Sequence, residues 1–86
     1  MRKKIVAGNW KMNNNLNDTI NLINDLKQNI VSSDVKVMIA PSFPFLKTAV
    51  DQLKDLNIEV IAQNINDNKS GAFTGEVSID MLKSIG

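Results

Sequence analysis

Apolar residues along this chain fall into two alternating kinds of run. Three runs are short and nearly continuous: "KIVAGN" (Lys4–Asn9), "VKVMIA" (Val35–Ala40), closed by Pro41, and "IEVIAQN" (Ile58–Asn64). Strands with so little polar alternation belong to parallel sheets covered on both faces. Between them the apolar positions are spaced at three and four. Leu16, Ile20, Ile23, Leu26 and Ile30 form one face of a first helix, with Asn15 as N-cap and Asp18 in its electropositive first turn. Leu46, Ala49, Val50 and Leu53 mark a second helix within "PFLKTAVDQLKDL", entered through Pro41 and Pro44. A third opens with Ser78 as N-cap and runs "IDMLKSI" to Gly86. Strand, helix, strand at this rhythm predicts right-handed crossovers and an α/β fold with a parallel βαβαβα sheet, in one domain at most over residues 1–86.

One segment has no period. "INDNKSGAFTGEV" (Ile65–Val77) reads as a loop of about a dozen residues, a length that is uncommon without function. Its centre, "GAFTGE" (Gly71–Glu76), has two glycines that permit tight turning around an apolar tip of Ala72, Phe73 and Thr74. Either a partner buries that tip, or the segment packs on itself as an Ω-loop. The glycine spacing is not that of a dinucleotide-binding turn.

In parallel α/β folds the functional loops follow the carboxyl ends of the strands. Asn9, Lys11, Gln63 and the long loop all fall there. In an extended chain residues two apart face the same side, so Asn9 and Lys11 are expected to project together into one space. A lysine ammonium is a compact point charge suited to phosphate. At about 4 Å and an effective dielectric near 20 it is worth about 4 kcal/mol to an anion, before desolvation. The alternative is that Asn9 ends the strand and Lys11 is a solvated loop lysine. Trp10 and Met12, on either side of Lys11, read as packing residues of core or interface. Glu59 lies inside a strand and Glu76 in the loop, and no local spacing pairs them as acid and base.

Composition removes several classes of function. The 86 residues contain no cysteine and no histidine, so neither a disulfide framework nor the commonest metal ligand and general base is available. Ten Lys and Arg against nine Asp and Glu give a net charge of +1 with no basic stripe, so no nucleic-acid partner is expected. The apolar stretch after "MRKK" is too short for a signal peptide, and no run approaches the roughly 18 residues of a membrane span. The expectation is a soluble, cytoplasmic protein without membrane contact.

Taken in order, "AGNWKMN", "IAPSFPFL" and "AQNI…GAFTGEVSIDMLKSIG" resemble the first third of the triosephosphate isomerase family, across essentially the whole chain. That family is the type case of the (β/α)8 barrel. The resemblance implies the first three βα units of such a barrel. It implies interconversion of dihydroxyacetone phosphate and glyceraldehyde 3-phosphate through an enediolate, in glycolysis and gluconeogenesis, without cofactor or metal. It makes Asn9 and Lys11 the substrate-binding pair, with Lys11 catalytic in stabilising negative charge in the transition state. It makes Met12, Gly71, Ala72, Phe73, Thr74, Gly75 and Glu76 dimer-interface residues. In a homodimer Thr74 would reach the Asn9 region of the other subunit, and the visiting loop would surround Met12. The family's electrophilic His and its base Glu fall beyond Gly86. A barrel of this type takes about 250 residues, so five further βα units are expected elsewhere and the 86-residue chain alone is expected to be inactive. A non-catalytic interaction fragment that keeps the interface loop is the alternative, and an unrelated small phosphate-binding domain a weaker third.

Overall fold

The computed structural model describes residues 4–29 and 35–86. Strand β1 is Ile5–Asn9, helix α1 Leu16–Asn29, strand β2 Lys36–Ala40, helix α2 Leu46–Leu53, strand β3 Ile58–Val60 and helix α3 Ile79–Ser84. A single 3-10 turn, Phe43–Phe45, leads into α2 and places Pro44 where no backbone N–H is needed. The sheet is parallel throughout, in the order β1-β2-β3. Ile5 pairs with Lys36 and Asn9 with Ala40, while Val37 pairs with Ile58 and Ile39 with Val60. The parallel βαβαβα reading therefore holds, and the described residues form an open three-stranded sheet.

Alternation along the strands separates the two faces. Ile39 and Ile58 turn toward the helices and join Ile23, Ala49 and Leu53 in one buried cluster, flanked by Trp10, Leu26, Val37 and Val60. The other face carries Lys36, Met38 and Ala40, with Ile5, Ala7 and Asn9 in register and Glu59 opposite Met38. Glu59, isolated in the sequence, here accepts from Lys36 Nζ at 2.8 Å across neighbouring strands. Helices cover one face only, and β1 is exposed along most of its length, with Ile5 at 56% and Val6 at 59%. Coverage on both faces, expected from the continuous apolar runs, is thus not met within these residues.

The caps follow the sequence closely. Asn15 Oδ1 accepts from Asp18 N at 2.9 Å and Asp18 Oδ2 accepts from Asn15 N at 3.3 Å. This reciprocal box satisfies two backbone donors at the start of α1. Ser78 Oγ accepts from Met81 N at 3.2 Å and starts α3. The face of α1 differs from expectation. Thr19 and Ile23 are fully buried and Leu26 is half-buried, whereas Leu16 is 47% exposed; Ile30 lies outside the described residues. The buried stripe runs through Thr19, which a pattern of purely apolar positions passes over. On α2 the expected face holds, with Leu46, Ala49 and Leu53 buried and Val50 half-buried.

Candidate functional site

The three strands end side by side, and their exits form the floor of the site. β1 stops at Asn9, and the chain turns sharply: Lys11 has φ +56, in the left-handed region. β1 ends at Asn9, so the two-residue period of an extended strand does not govern Lys11. Asn9 instead holds Lys11 through the backbone. Its Oδ1 accepts from Lys11 N at 2.9 Å. Trp10 N donates to Ala40 O at 3.1 Å, which fastens the turn to the end of β2 while the indole packs on the core.

Two further side chains close on the same peptide. Ser42 Oγ donates to Lys11 O at 3.0 Å, and Gln63 Nε2 donates to it at 2.9 Å. Gln63 Nε2 also donates to Ala40 O at 2.7 Å. Each strand exit thus contributes one hydrogen bond to the Lys11 main chain: Asn9 from β1, Ser42 after β2, Gln63 after β3. Strand β3 itself ends at Val60 instead of Asn64, with one more ladder bond from Ile61 N to Ile39 O at 2.8 Å. Beyond that bond the Gln63 side chain, and not the backbone, ties the third unit to the second. Gln63 stood out in the sequence only as a polar residue directly after an apolar run, and Ser42 not at all.

The long loop is pinned at its base. Asn66 N donates to Val77 O at 2.8 Å, and Asn66 and Ser78 form an isolated parallel bridge. Asn66 Oδ1 accepts from Asn68 N at 2.8 Å, turning the chain at once. At the tip Glu76 N donates to Phe73 O at 3.0 Å around Gly75, whose φ of +85 a side chain would strain. Gly71, at φ +141, sits against the Phe73 ring; a Cβ there would lie 2.7 Å from Cε2. The loop therefore packs partly on itself, yet every residue from Gly71 to Glu76 is exposed, Phe73 at 45%. Met12 is 94% exposed, so packing in the core, one of its two readings, does not apply within this chain. The structure joins Asn9 to Lys11; among the described residues no hydrogen bond links residues 71–76 to them.

The sequence model described as triosephosphate isomerase matches residues 4–86. The chain belongs to the triosephosphate isomerase family. A triosephosphate isomerase of Flavobacterium psychrophilum is 54% identical over the whole of this chain, one of Finegoldia magna 48% and one of Clostridium acetobutylicum 44%. The chain spans about a third of the length of these curated relatives, 34–35% of each. Membership sets aside the reading as an unrelated phosphate-binding domain. It also accounts for the one-sided sheet: in a (β/α)8 barrel the face carrying Lys36, Met38 and Ala40 is the interior, and the helices lie outside. Among the described residues no group of His, Cys, Asp and Glu could hold a metal, and no helix is long and apolar enough to cross a membrane.

Proposed function

We propose that these residues form the substrate-facing amino-terminal part of a triose-phosphate isomerase that interconverts dihydroxyacetone phosphate and glyceraldehyde 3-phosphate. The observation that carries the reading is the Lys11 turn, held at one point by hydrogen bonds from all three strand exits. A flexible loop lysine would need none of them. A fixed cation at the carboxyl end of a parallel sheet suits a reaction that builds negative charge on a substrate oxygen already carrying a phosphate nearby. Because the turn is organised before substrate arrives, little reorganisation is needed as the enediolate forms. Asn9 Oδ1 accepts from the Lys11 backbone, and among the described residues no hydrogen bond engages its Nδ2, which leaves that group for substrate.

Proton transfer belongs to groups outside these 86 residues, which hold no histidine. The part assigned to this chain is to bind and orient the triose and to stabilise its charge. The exposed tip around Phe73 and the exposed Met12 support a homodimer in which each loop covers the other subunit's Lys11 turn. The test uses the complete protein containing these residues, assayed for isomerisation of glyceraldehyde 3-phosphate with no added metal or nucleotide. Turnover supports the assignment, and a folded complete protein without it overturns the assignment.

A further inference from the structure

The Lys11 carbonyl accepts two side-chain hydrogen bonds, and the donors come from different strand exits. We infer that Gln63, assisted by Ser42, is a positioning residue that sets where the Lys11 ammonium sits. This inference rests on the isomerase reading of the site.

A lysine is not at ease at φ +56, because its Cβ crowds the following carbonyl. Such a conformation persists only where the surroundings over-determine it. Here the peptide N–H is held by Asn9 and the carbonyl by Ser42 and Gln63. Asn9 lies two residues away along the chain, at the end of β1, so its bond can travel with the turn. Gln63 is 52 residues away, and its second bond, to Ala40 O at 2.7 Å, anchors it to the middle strand. Both hydrogens of one amide nitrogen are therefore committed, one to the turn and one to the sheet. That makes Gln63 the long-range reference for the lysine, and Ser42 the lesser one, with a single bond. Removing the amide while keeping the volume leaves the backbone near Lys11 free to relax. The ammonium, at the end of a four-carbon stem, then loses its fixed origin. A displacement of about 1 Å in a positioned charge is enough to lower turnover by orders of magnitude.

The experiment is a double-mutant cycle in the complete protein: wild type, Gln63→Met, Lys11→Ala and the double variant. It is read on kcat/KM and, by calorimetry, on the affinity for inorganic phosphate, so that the Lys11→Ala background stays readable when turnover is slow. The expected result is a loss of at least roughly tenfold in kcat/KM and roughly threefold in phosphate affinity from Gln63→Met when Lys11 is present. In the Lys11→Ala background the same substitution should change phosphate affinity by less than about twofold. Equal factors in both backgrounds, or no loss with Lys11 present, overturn the inference. If Gln63→Met does not fold, Ser42→Ala enters the same cycle with a smaller loss that again depends on Lys11. An unchanged kcat/KM in Lys11→Ala alone would instead remove Lys11 from the site, and this inference with it, while a folded wild-type protein without turnover would overturn the isomerase reading itself.

Discussion

Lys11 sits where one charge can be weighed against the rest of the site. If it stabilises the developing oxyanion, Lys11→Ala in the complete enzyme removes about 4 kcal/mol, or roughly a thousandfold in kcat/KM, with kcat and KM both affected because the charge acts in ground and transition states. Steady-state kinetics check this, and near-normal turnover would contradict it. Thr19 is a residue whose polarity brings no visible benefit. Its Oγ1 is fully buried without a hydrogen-bond partner among the described residues. Thr19→Val keeps the shape and removes that hydroxyl, so the complete protein should gain about 1 kcal/mol, seen as a higher urea midpoint. Both residues show the limit of the sequence. "GNWKM" identified the polar pair, but an extended-chain period cannot foresee a left-handed turn at Lys11. Nor can an apolar pattern foresee that the buried stripe of α1 passes through a threonine.

At the scale of elements the signals that worked were local. The Asn15–Asp18 box, the Ser78 cap and the apolar face of α2 lie within a few residues of what they organise, and each was legible. The end of β3 was not, because Gln63 hands its pairing to a side chain that reaches another strand. The loop combines the two cases. Its existence was plain from the lost period, while the clasp between Asn66 and Val77 depends on folding. With its ends fixed, the tip can be shortened without pulling on β3 or α3. If the proposed homodimer forms, deleting residues 71–75 in the complete protein should leave the barrel folded, give a monomer in sedimentation, and lower turnover by loosening the Lys11 turn that the loop is proposed to cover. An unchanged dimer would contradict the interface role.

For the molecule as a whole, what these residues lack is a second covering layer. Among the described residues the outer edges of β1 and β3 have no strand partner, and the face carrying Met38 and the Lys36–Glu59 pair is uncovered. Each ordered residue costs about 1–2 kcal/mol of backbone entropy, which a single buried cluster of this size does not offset. The 86 residues produced alone should show weak amide protection or self-association, and no isomerase turnover. A well-protected monomer at low concentration would refute the first expectation, and turnover the second. The parallel sheet was legible here in strands with little polar alternation. The barrel was legible only through the resemblance carried by "GNWKMN" and "GAFTGE", since the described residues supply one covering layer.

The positive φ of Lys11 sets two kinds of selection against each other. Glycine would relieve a strain of about 1–2 kcal/mol at that position, while removing the ammonium that the turn holds in place. A lineage selected for heat resistance alone would be drawn to Lys11→Gly and become a sturdier protein with an idle site. Lysine at a backbone position that disfavours it is thus a conformational cost carried for a side chain, as the role proposed for the Lys11 ammonium requires.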